Sequence, residues 1–165
     1  MQQQEWQDKK EVKKGNIGEL IIRNYLEDKG YVVYEPVTEK AHHFDKVISR
    51  NKKFLAVAEI KTYERLRYKT ETGINLKNYN EYLNIELEVF IFFVDYITKT
   101  IYGNKLNILK IERIINGYTY PYVMRSRTGN KMMFHLNSMI EVAKLTDKEC
   151  KELQTYSYKN NKYLN

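Results

Sequence analysis

Three residues have the types and the spacing to do chemistry together: Asp45, and Glu59 with Lys61 two positions later. Asp45 stands at the start of an extended segment, Phe44 to Ser49. Glu59-Ile60-Lys61 ends the next one, Lys53 to Lys61, after a turn at Arg50-Asn51-Lys52. Paired as a hairpin, the two segments bring those ends side by side. Side chains alternate along a strand, so Glu59 and Lys61 share a face, and Asp45 can join them. Hydrolysis of a phosphodiester needs this set. Two carboxylates bind a hard divalent cation such as magnesium or manganese, which prefers oxygen ligands. The ion polarises the phosphate and lowers the pKa of a bound water. A lysine beside it orients or deprotonates that water, or stabilises the developing charge, and the Ile60 carbonyl can add a further ligand.

The elements around this set are readable from periodicity. Glu11 to Asp28 carries Ile17, Leu20, Ile21, Asn24 and Tyr25 at helical spacing and stops at Gly30. Gly15 and Gly18 thin its face and let another backbone come close. Glu19 sits beside the apolar stripe. Tyr31 to Tyr34 is a short β-prone run. In the segment FLAVAEIK, Leu55, Val57 and Glu59 share one face, and Ala56, Ala58 and Ile60 the other. Thr62 to Gly73 reads as a polar, basic loop and Asn75 to Ile85 as a short helix. Glu88 to Tyr96 is apolar on both faces, as a central strand of a covered sheet requires. Thr100 to Tyr102 follows as a neighbouring strand. Leu106 to Ile115 reads as helical, and Tyr120 to Arg125 with Lys131 to Leu136 as a second hairpin. A final helix at Thr146 to Leu153 opens on a capping-box pattern, Thr146 with Glu149.

Asp45 followed by Glu59-Ile60-Lys61 across a hairpin resembles the motif of the PD-(D/E)XK nucleases, the restriction-endonuclease-like and Holliday-junction-resolvase-like enzymes. Glu19, in Gly15-Asn16-Ile17-Gly18-Glu19, is similar to the first-helix glutamate that reaches the metal site in that family. The match covers roughly residues 11–102, with Phe44 standing where the motif has proline. The resemblance implies an α/β fold with an αβββαβ core, a mixed central sheet flanked by helices, and a C-terminal hairpin and helix appended over about 103–165. It implies a Mg2+- or Mn2+-dependent endonuclease of phage or mobile-element type. Glu19, Asp45, Glu59 and Ile60 would hold the metal, and Lys61 would serve the water. It also implies a homodimer, because one active site cuts one strand.

The substrate side rests on charge. The chain has 28 lysines and arginines against 21 acids, a net charge of +7, which favours polyanions through counterion release. Arg65, Arg67 and Lys69, with Tyr68 between them, follow Lys61 directly, and Lys77 opens the next helix. Such residues position duplex or branched DNA by its phosphates. His42 and His43 precede Asp45, and Tyr79 follows Lys77, as lesser candidates. One cysteine, Cys150, excludes an internal disulfide and fits a reducing cytosol. The longest apolar run, Val89 to Val94, is too short to span a bilayer. With 165 residues the chain suits a single domain.

Two other readings share these features. An acid on one strand and Glu-x-Lys on the next also form ordinary exposed cross-strand ion pairs, and a nuclease fold can serve as an inactive nucleic-acid-binding or protein-interaction module. Against the ion pair stand the apolar strand that Glu59 ends, the third acid on the helix, and the basic segment that follows. Against an inactive nucleic-acid-binding module stands the intact set of Asp45, Glu59 and Lys61.

Overall fold

The computed structural model describes residues 9–36, 44–51, 54–62, 70–127 and 129–156. Helix α1 spans Lys10–Asp28 and leads into strand β1, Val32–Tyr34. Strands β2, Lys46–Arg50, and β3, Phe54–Lys61, form the expected hairpin, with Val47 opposite Val57. Then come β4 (Glu71–Asn75), helix α2 (Leu76–Tyr82), β5 (Glu88–Asp95) and β6 (Thr100–Lys105). A single helical turn, α3, covers Leu106–Leu109. The rest of the chain is β7 (Arg113–Ile115), β8 (Tyr118–Tyr120), β9 (Tyr122–Met124), β10 (Lys131–His135), β11 (Ile140–Lys144) and helix α4 (Asp147–Thr155).

Six strands form the central sheet in the order β1-β2-β3-β5-β6-β11. Among the described strands, only the β3–β5 pair is parallel, with Glu59 opposite Ile91 and Lys61 opposite Phe93. It is the pair that needs a crossover, which β4 and α2 supply. Alternation along β3 divides the interior. Ala56, Ala58 and Ile60 face a core built with Ile21, Ile22 and Leu26 of α1 and with Cys150 and Leu153 of α4. Val57 faces the opposite core, built with Tyr79 and Tyr82 of α2, Leu106 and Leu109 of α3, and Phe134 of β10. Strand β5 is buried on both faces, from Ile91 to Val94, as its unbroken apolar run demands. α1 packs close to the end of β3 at Gly18, where an added Cβ would lie 1.8 Å from Thr62 Oγ1. Gly15, expected to act the same way, has nothing within 4 Å of that position.

The chain departs from the sequence reading in three places. Glu71-Thr72-Gly73, read as the end of a loop, belongs to β4, which pairs with β10 and β9 in a separate three-stranded sheet. The hairpin of β9 and β10 therefore has a third strand from far upstream. Residues 106–115 are helical only through Leu109. The remainder turns at Asn116-Gly117, both residues at positive φ, into the β7–β8 hairpin. This is the two-residue Asn-Gly connection that matches strand twist, and it takes the chain out of helix after Leu109. Finally, β11 pairs with β6 and α4 packs in the α1 core, so the C-terminal segment returns to the main body. No helix among the described residues is long and apolar enough to cross a membrane.

Candidate active site

Two strand ends and one helix converge on Glu59. Asp45 lies one residue before β2. Its N–H donates to the Ala58 carbonyl at 3.1 Å, and its carboxylate Oδ2 accepts the Ile60 N–H at 2.6 Å. The side chain thus extends the pairing where the strand itself stops, and is pinned one residue from Glu59. Within a strand, a residue's N–H and C=O point to the same edge. The Ile60 carbonyl therefore lies on the Asp45 side of β3, away from β5.

Glu59 is only 2% exposed, and Lys61 on the same face closes an ion pair with it. Burial, then the charge of Glu59, pushes the Asp45 carboxyl up to about 6, against the pull of Lys61. Two carboxylates are thus crowded in a poorly solvated corner. From α2, the Tyr82 hydroxyl reaches the same corner. It is buried and, among the described residues, in hydrogen-bonding geometry with no group, yet near enough for Glu59 to add to the effect of burial in raising its pKa.

The donor set fits a hard divalent cation. Two carboxylates and a backbone carbonyl are all oxygen, and magnesium is commonly held by one or two carboxylates with water and substrate oxygens filling its shell. The elevated Asp45 pKa marks a charge crowding that a cation relieves. Among the described residues, no three Asp, Glu, His or Cys side chains gather into a ready-made cluster.

Glu19 explains why. Lys46, the first residue of β2, points to the α1 side of the sheet together with Ile48, and its ammonium takes the Glu19 carboxylate at 2.6 Å. Glu35 lies 3.4 Å from the same nitrogen. Burial lowers the Lys46 pKa, but the two acids outweigh it and the net shift is upward. Glu19 itself is raised, first by burial and further by Asp45, with Lys46 opposing. Glu19 senses Asp45, but Lys46 holds it on the other face.

Of the substrate candidates, Lys77 is exposed on the first turn of α2, 3.9 Å from Glu81. Tyr79 is buried against the Phe134 ring, so it is a packing residue. Arg65, Arg67, Tyr68, Lys69, His42 and His43 lie outside the described residues. Sequence reasoning missed Tyr82. No spacing in the sequence set it apart from a core tyrosine such as Tyr79 on the same helix.

No family model and no curated protein matches this sequence. Among solved structures, the chain is similar to Hjc, a Holliday junction resolvase from the archaeal hyperthermophile Archaeoglobus fulgidus. The TM-score is 0.52 and the identity 11%, over 78% of this chain and 97% of that one. At this identity the likeness is one of fold, a restriction-endonuclease-like α/β fold. The resolvase-like fold includes the mixed central sheet flanked by helices, on which Asp45, Glu59 and Lys61 stand.

Proposed function

We propose that the protein is a divalent-metal-dependent endonuclease that hydrolyses phosphodiester bonds in DNA, acting on branched or duplex substrates. The observation that carries this reading is the Asp45–Glu59–Lys61 corner, on a fold similar to that of a Holliday junction resolvase. Asp45 and Glu59 bind Mg2+ or Mn2+, with the Ile60 carbonyl as a further oxygen ligand. The bound cation supplies Lewis acidity and a water acidic enough to attack near neutral pH. Lys61, paired with Glu59, orients that water or stabilises charge on the phosphate as it is attacked. The Tyr82 hydroxyl, a donor without a partner, holds the orientation of Glu59 once Lys61 turns to substrate. Glu19 acts from the other face, fixing Lys46 beside the first residue of the site.

The net charge of +7 supports a polyanionic substrate. Lys77, and the basic segment with Arg65, Arg67, Tyr68 and Lys69, are proposed to contact its phosphates. A homodimer would set two such sites against two strands. The test is cleavage of supercoiled, linear and four-way-junction DNA with Mg2+ or Mn2+, wild type beside Glu59→Gln. Metal-dependent cutting that the variant loses supports the reading. A wild-type protein inert on all three substrates with either metal overturns it.

A further inference from the structure

A second polar site lies away from the metal corner. A cavity of about 530 Å³ opens between the β7–β8 hairpin and the β4–β10–β9 sheet, with Glu71, His135, Tyr118, Tyr120 and Tyr122 in its lining. Glu71 and His135 are register partners on β4 and β10, so their side chains share a face. Both are about 95% buried.

Among the described residues, Glu71 has no lysine or arginine partner. Its Oε1 accepts the Tyr120 hydroxyl, and its Oε2 accepts the Tyr122 hydroxyl at 2.7 Å. A carboxylate has about four acceptor positions, so each oxygen keeps one. A buried carboxylate compensated by two neutral hydroxyls is under-satisfied, and it calls for N–H donors from outside. His135 offers the opposite polarity. Its Nδ1 accepts the Asn137 N–H at 3.1 Å, which places the proton of the neutral ring on Nε2 as a donor. Among the described residues, that nitrogen has no hydrogen-bond partner. Tyr118, 70% exposed on the hairpin, supplies an aromatic face at the rim.

An ammonium or guanidinium would satisfy Glu71 but gives the His135 donor nothing to bond. A guanine-type base edge satisfies both, with two adjacent N–H donors beside a carbonyl acceptor. We propose that this cavity binds an unstacked guanine base, its N1–H and N2–H on Glu71, its O6 on His135 Nε2, and its ring against Tyr118. The inference rests on the nucleic-acid reading for its biological source but needs neither the metal nor cleavage.

The test is titration of labelled protein with GMP and with AMP in the presence of EDTA, read by NMR at the His135 and tyrosine rings. GMP is expected to bind about tenfold more tightly than AMP, and Glu71→Gln to erase that preference. Since Glu71→Gln can disturb the tyrosines it holds, Tyr118→Ala is the second variant. It leaves the interior untouched and should weaken GMP by about tenfold through lost stacking. A thymine oligonucleotide carrying one guanine distinguishes the sources. Binding tighter than GMP assigns the base to a strand, and binding no tighter assigns it to a free nucleotide. Equal response to GMP and AMP, no response to either at millimolar concentration, or preference for N-acetyl-arginine amide overturns the proposal. A protein that cuts DNA but ignores GMP loses only this inference. One that binds GMP but never cuts loses only the nuclease reading.

Discussion

The Asp45 carboxylate is anchored to the backbone N–H of Ile60, so it sits one residue from Glu59 and shares its desolvated corner. That neighbourhood costs the folded protein stability whenever Asp45 is ionised. Its carboxyl titrates near 6 in the folded state against about 4 in an unfolded chain. The folded protein therefore holds a proton that the unfolded chain has released. The stabilisation is complete below about pH 4 and is lost as the pH rises through 6. Asp45→Asn keeps an oxygen for the Ile60 N–H and removes the charge. At pH 7 without metal, the variant should be more stable than wild type by about 1–3 kcal/mol while losing cleavage. Melting curves from pH 4 to 8 would show wild type falling relative to the variant. Parallel curves would mean that Asp45 is better solvated than this corner allows.

Lys61 is the partner of a carboxylate that is otherwise sealed from water. Removing it leaves Glu59 buried and uncompensated, so Lys61→Ala should cost about 2–4 kcal/mol as well as cleavage. DNA affinity should change little, since one charge among 28 basic residues is lost. Adding Glu59→Gln to Lys61→Ala should restore most of the stability and none of the activity. A double variant no more stable than the single one would show that the pair is not coupled.

Thr146 tests a purely structural feature. Its side chain accepts the Glu149 N–H, and the Glu149 carboxylate accepts the Thr146 N–H at 2.7 Å, a complete capping box on α4. Thr146→Ala should cost about 1 kcal/mol, seen as a lower melting temperature. Cleavage per folded molecule should not change, because α4 packs behind α1, on the face of the sheet opposite Glu59.

That capping box was legible because its whole signal spans four residues. The same holds for α1, for the β2–β3 hairpin and for β5, where local pattern and burial agree. Asp45, Glu59 and Lys61 were legible as a group because alternation alone decides which faces they share. β4 was not, since Glu71-Thr72-Gly73 looks like loop. Its burial is created by Tyr120 and Tyr122, about fifty positions away, and by a strand contact at Gly73 so close that a Cβ would lie 2.5 Å from the Met132 carbonyl oxygen. The β7–β8 hairpin was readable at Asn116-Gly117, but an apolar spacing that ends at Leu109 drew the helix reading across it. Lys46 is the instructive residue at the site. Alternation sends it to the face opposite Asp45, and Glu19 goes with it.

Tyr82 carries a buried hydroxyl without a hydrogen-bond partner next to Glu59. In a purely structural role such a group is a liability of about 1 kcal/mol or more. Tyr82→Phe should therefore leave the metal-free protein as stable as wild type or more so, while slowing cleavage. A variant that loses stability and keeps its full rate would make the hydroxyl structural.

The Glu19–Lys46 pair separates coordination from positioning. If Lys46 holds Glu19 away from the metal, Glu19→Gln should leave Mn2+ affinity almost unchanged in calorimetry, whereas Glu59→Gln should abolish it. Glu19→Gln should still cost about 1–3 kcal/mol, because Lys46 is buried and, among the described residues, keeps only Glu35 at 3.4 Å. Lys46→Met in the Glu19→Gln background should recover that loss, since an apolar side chain replaces a buried charge. Lys46→Met alone frees the Glu19 carboxylate, which Asp45 already influences, and should raise metal affinity rather than lower it. Mn2+ binding that falls as far with Glu19→Gln as with Glu59→Gln would instead make Glu19 a direct ligand, reached by breaking its bond to Lys46.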